Sequence, residues 1–177
     1  MGVLEGNTYT NAFIGITVTL GDGWVYADEE QMAAIRGMTA DAMNDEELIK
    51  LLESNGSVMD MYATEETGST VNVMLEKLNL LQTVAVTEQS YVEAAVGQLP
   101  AALENMGFEN VTVETTELIF AGESHGGIKV HGQIFGIDFY ETMAVVKRGN
   151  YIACVTVASY GEDTTESVLA LFRKIAL

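Results

Sequence analysis

The apolar positions of this chain change period several times, and each change predicts an element. Ile14, Ile16, Val18 and Leu20 alternate with Gly15, Thr17 and Thr19, the period-two pattern of a half-buried strand. Gly21-Asp22-Gly23 is a turn leading to Trp24, so a short hairpin opens the fold. The period then lengthens. "DEEQMAAIRG" predicts a helix with Asp28 as N-cap, Gln31 completing a capping box and Gly37 near its end. "NDEELIKLLESNG" predicts another, boxed by Asn44 and Glu47, with Leu48, Leu51 and Leu52 on one face and Gly56 as its stop.

"VMDMYATEE" and "STVNVMLEKL" return to strand, around a turn at Glu66-Thr67-Gly68. Residues 87–106 predict the longest helix, with Val92, Ala95, Val96, Leu99, Ala102, Leu103 and Met106 at helical spacing. Pro100 lacks a backbone donor and divides or kinks it near Leu99. "VTVETTELIFAG" is rich in β-branched residues and predicts a strand. "IKVHGQIFG", "IDFYETMAVVK" and "NYIACVTVASY" come after it, joined by turns at Gly136 and at Arg148-Gly149-Asn150. Such short joints make consecutive strands antiparallel neighbours.

In the last of these strands Tyr151, Val155 and Val157 fall on one face, with Ile152, Cys154 and Ala158 on the other. A strand apolar on both faces is covered on both. The closing stretch "DTTESVLALFRKIAL" predicts a helix capped by Asp163 and Glu166, with Val168, Leu171, Phe172 and Ile175 as its buried stripe. The expectation is one α+β domain over residues 7–177, an antiparallel sheet of about six strands sandwiched by helices. Residues 1–6 are expected to be a disordered or added N-terminus.

Charge narrows the partners. Lys and Arg number 8 against 26 Asp and Glu, a formal charge of −18. Such a surface repels nucleic-acid phosphates and anionic headgroups, which need clustered cations. It favours a cationic protein, peptide or amine. No apolar run approaches the roughly 20 residues of a membrane-spanning helix. A lone cysteine, Cys154, excludes an intrachain disulfide and a Cys-based zinc site, and it reads as a small core residue. No cofactor is expected.

One stretch looks like chemistry. "GESHG" around Ser124 fits G-x-S-x-G, the strand-to-helix elbow that exposes a nucleophilic serine. The next residues, "IKVHGQIFG", carry a strand pattern rather than a helical one, and the acid-then-histidine order of that fold is missing. Ser124 is therefore expected in a turn. His125 and His131 stand six residues apart and would share a face of an unbroken strand, but Gly126-Gly127 is expected to interrupt it and no third ligand is evident. Glu29-Glu30, Glu65-Glu66 and Glu162-Asp163 lack the spacing of a calcium loop. Trp24, Tyr91, Tyr140 and Tyr151 are read as packing residues.

Three stretches resemble a known family. "YTNAFIGITVTLGDGW" is similar to the opening of PsbP-like proteins, "FYETMAVVKRGNYIACVTVAS" to their paired late strands, and "DTTESVLALFRKI" to their closing helix. The group includes photosystem extrinsic proteins, a Ran-binding nuclear transport factor, DcrB-like lipoproteins and effector-associated chaperones. The family's turn before Trp usually carries a proline, where this chain has Gly21-Asp22-Gly23. The resemblance implies an α/β/α sandwich and a non-enzymatic binding or adaptor domain, the exported part of a bacterial surface lipoprotein. On that reading Met1-Gly2 is the remnant of a chain trimmed of its export signal. Two alternatives are a cytoplasmic chaperone or adaptor with a native start, and a small hydrolase using Ser124 or a carboxylate pair.

Overall fold

In a computed structural model of the chain, residues 1–37 and 45–175 are described. The chain begins with β1 (Val3–Glu5), β2 (Thr8–Asn11), β3 (Ile16–Thr19) and β4 (Trp24–Tyr26). Helices α1 (Glu29–Arg36) and α2 (Asp45–Asn55) precede β5 (Ser57–Glu65) and β6 (Thr70–Lys77). Three helices come next: α3 (Leu80–Ala85), α4 (Glu88–Val96) and α5 (Leu99–Asn105). Four long strands close the main sheet, β7 (Glu109–Phe120), β8 (Glu123–Ile134), β9 (Ile137–Arg148) and β10 (Tyr151–Tyr160). Helix α6 (Thr165–Leu169) and β11 (Arg173–Lys174) end it.

The architecture is α+β and antiparallel throughout. Seven strands form one sheet in the order β4-β5-β6-β10-β9-β8-β7, and four form a second, β1-β2-β3-β11. The expected antiparallel sheet is the seven-stranded one, one strand larger than about six, and the expected N-terminal hairpin belongs to the four-stranded one. β10 occupies the middle of the larger one, pairing β6 on one side and β9 on the other. Its two apolar faces explain that position. Ala153, Val155 and Val157 pack in a core closed by Ile14, Ile16 and Val18 of the small-sheet region, Leu48 and Leu52 of α2, and Val168 and Leu169 of α6. Ile152, Cys154 and Ala158 pack on the other face, beneath Val92 of α4 and Leu103 of α5. Burying a Val or Ile of this kind contributes roughly 1.5–3 kcal/mol.

Several joints obey the local signals. Asp28 and Gln31 form the capping box of α1, and Gly37 closes it in the left-handed region at φ 68°. Gly56 ends α2 at φ 78°, its N–H donating to the Leu52 carbonyl. The Asn44 half of the second expected box lies outside the described residues. The long helix is divided at Gly97-Gln98, with Pro100 in the first turn of α5 where its missing N–H costs nothing.

The C-terminus departs from expectation. The helix stops after Leu169, and Arg173-Lys174 pair antiparallel with Thr17 and Ile16 of β3. Phe172 is buried but Leu171 is exposed, so no continuous helical stripe exists there to bury. The extended tail instead satisfies backbone groups along the open edge of β3, and the Ile175 N–H continues this by donating to the Gly15 carbonyl. Residues 1–6, expected outside the domain, carry β1, which pairs with Thr8–Thr10. Helix α3 has no counterpart among the expected elements. It is started by an Asn79–Gln82 capping box, but its apolar residues Leu80, Leu81 and Val84 all face solvent, leaving no buried period to reveal it.

Candidate functional site

The stretch 123–127 is strand, not turn. β7 reverses into β8 through Ala121 and Gly122, at φ 49° and 86°, and Phe120 pairs with Glu123. Ser124 is therefore the second residue of β8, opposite Ile119. The Gly126-Gly127 pair does not break the strand. A Cβ on Gly127 would lie 2.5 Å from Leu118 Cδ1 and 2.9 Å from the Met143 carbonyl oxygen. One on Gly126 would lie 3.2 Å from Val92 Cγ2 and 3.4 Å from the Glu88 backbone. The two glycines let β7 and α4 close onto β8, which is why they stand inside a strand.

That approach builds a cleft of about 750 Å³ between the start of α4, β7 and the start of β8, lined in part by Glu88, Thr115, Glu117, Ser124, His125 and Lys147. Glu88 organises its floor. One carboxylate oxygen accepts the backbone N–H of Lys147 at 2.7 Å, and both oxygens lie 3.1 Å from Nδ1 of buried His125. The Lys147 ammonium donates to the Thr83 and Val86 carbonyls at 2.7 and 2.6 Å. A cation there suits the negative end of α3. Ser124 donates its hydroxyl to Glu117.

The sequence's two chemical candidates thus lie side by side without acting on each other. Among the described residues no hydrogen bond joins Ser124 to His125, and each is held by a different carboxylate. His131 stands apart, 3.3 Å from Asp138 and stacked on Tyr140 with ring centres 4.9 Å apart. Because β8 runs unbroken, six residues place the histidines about 20 Å apart along the strand, too far to share an ion. No group of three His, Cys, Asp or Glu among the described residues is placed to hold a metal. Cys154 is buried and its thiol is pushed up to about 11, mainly by burial.

A second polar cluster has no local signal in the sequence. Asp60 lies where the β5–β6 register slips between Met59 and Met61, and such a bulge re-aims its extra side chain. One carboxylate oxygen accepts from the Tyr9 hydroxyl at 2.5 Å, Asn11 Nδ2 at 2.7 Å and the Gly2 N–H at 2.8 Å. Among the described residues the other oxygen is buried without a partner. Arg36 donates to the Met59 and Asp60 carbonyls at 2.7 and 3.3 Å. Burial, reinforced by Asp60, holds the Tyr9 hydroxyl well above its usual range. A cavity of about 460 Å³ borders the cluster.

No family model and no curated protein matches the chain. Among solved structures it is similar to LpqN, described as involved in cell envelope biogenesis of Mycobacterium tuberculosis. The TM-score is 0.46 at 8% identity, covering 91% of this chain and 83% of that one. A likeness that distant carries no functional argument. The PsbP-like resemblance rests on the sequence stretches alone.

Proposed function

We propose that this chain is a non-catalytic binding domain that captures a cationic segment of another protein outside the cytoplasm. One observation carries the binding half of that reading: the polar groups of the cleft are already committed to the scaffold. Glu88 ties α4 to β9 and β8, Lys147 ties β9 to α3, and His125 spends its Nδ1 on Glu88. Glu117 stands exposed at the cleft, and the whole chain carries −18. The exported, lipid-anchored setting is supported by the three PsbP-like stretches. Surface charge screened over about 8 Å at physiological salt speeds encounter more than it holds a complex.

The test has two arms. Association of poly-lysine with the immobilised chain should slow steeply as salt rises, with dissociation changing much less. A salt-independent on-rate would remove the cationic partner. Serine-directed phosphonates should leave the native protein unlabelled. Labelling that vanishes in Ser124→Ala would replace binding with hydrolysis.

A further inference from the structure

β7 is the last strand of the seven-stranded sheet, and its outer side pairs with no described strand. The opposite edge, β4, is only three residues long, whereas β7 runs for twelve. Alternate residues of such a strand turn their N–H and C=O groups outward. Proteins usually blunt an edge with brevity, proline, a bulge or charged side chains, lysine above all. From Thr112 to Phe120 this edge has no proline, lysine or bulge, the register slip lying earlier, between Glu109 and Thr112. Its charges are Glu114 and Glu117, with Glu109 before the slip, all exposed. Two copies pairing through β7 would bring these like charges together, which disfavours a homodimer.

Two recesses flank this stretch. The Glu88 cleft borders Thr115, Glu117 and Ser124. A second, of about 380 Å³, is lined by Leu118, Phe120, Leu169 and Ala170, with Lys129 and Glu166 at hand. Thr116 and Glu117 border both, so the two openings meet along one length of edge. An added strand turns successive side chains to opposite faces. One side chain would then enter the recess beside Glu88 and Glu117, and the next the recess that Leu118, Phe120 and Leu169 help to line.

We infer that the free edge of β7 accepts an extended segment of a partner protein as an added strand. Basic side chains of that segment enter the Glu117 cleft, and alternating apolar ones enter the Leu118–Leu169 recess. Main-chain hydrogen bonds supply affinity in this mode and the recesses supply specificity. The inference rests on the cationic-partner reading and adds its geometry.

The probe is a capped peptide alternating Lys and Val, compared with the same peptide N-methylated at every second residue and with a Glu–Val counterpart. Titration calorimetry should detect the Lys–Val peptide, with N-methylation on the pairing side weakening it at least tenfold and the Glu–Val peptide silent. Glu114→Lys together with Glu117→Lys should weaken it by a similar factor, with the thermal midpoint checked to confirm folding. Amide exchange along β7 should slow only with the unmethylated peptide. Equal binding of methylated and unmethylated peptides would overturn strand addition and leave the cationic reading standing. If poly-lysine and the Lys–Val peptide both fail to bind, that reading falls and the inference with it. Protection of β7 that grows with protein concentration alone would make a second copy the occupant and overturn the inference.

Discussion

Asp60 and Glu88 are carboxylates that do similar work in different surroundings. Asp60 is almost fully enclosed and gathers three donors onto one oxygen, from Tyr9, Asn11 and the Gly2 backbone. It thereby fastens the small sheet to β5 of the large one. Glu88 is half-buried and holds two partners, the Lys147 N–H and His125. It fastens α4 across β9 and β8, and it does so on the floor of an open cleft. The contrast shows where each region's polar groups are spent. In the enclosed region they lock two sheets together. In the open one they lock the floor, and the acidic edge of β7 pairs with no described strand.

Deleting the enclosed carboxylate should do the most damage. Asp60→Ala strands a buried tyrosine hydroxyl, an amide and a backbone N–H, and each such group costs about 1–3 kcal/mol. Partial relaxation leaves an expected loss of about 3 kcal/mol in urea unfolding. A loss under about 1 kcal/mol would mean that the small sheet is not held by this cluster. Glu88→Ala removes two partners at a wetter site and should cost about 2 kcal/mol. If the two variants cost the same, the contrast between closed and open regions fails.

How much of this was legible in the sequence depends on where each signal resides. Capping pairs such as Asp28 with Gln31, and the alternation of Ile14 to Leu20, are local, and they form as read. The two faces of β10 are readable because period two states them directly. Gly126-Gly127 misleads because glycine in a strand means either a break or a close neighbour. Only the tertiary approach of Val92 and Leu118 decides which. Asp60 sits in an ordinary-looking strand, and the register slip that re-aims it depends on β6. The tail from Val168 to Ile175 carries a helical period in its letters, yet the open edge of β3 draws residues 173–174 into strand. Glu88 looks like any acidic residue in a first helical turn.

Glu141 extends the comparison to a carboxyl shifted by burial alone. It stands opposite Val130 on β8 and Ala158 on β10, and burial pushes it up to about 7. An unfolded glutamate titrates near about 4.3. Between those values the folded chain holds a proton that the unfolded chain has lost, so stability falls as pH rises through that window. Below about 4 both states are protonated and the penalty is absent. Above about 7 both are ionised and the penalty is complete. Glu141→Gln keeps the shape and removes the charge. It should therefore be more stable than the wild type by up to about 4 kcal/mol near pH 8 and equal to it near pH 4. Because the measured quantity is the difference between two chains, every other titrating group cancels to first order. Chemical unfolding across the pH series reads it directly. A difference that stays flat with pH would mean that Glu141 ionises as freely in the fold as outside it, and that its carboxylate needs no donors there.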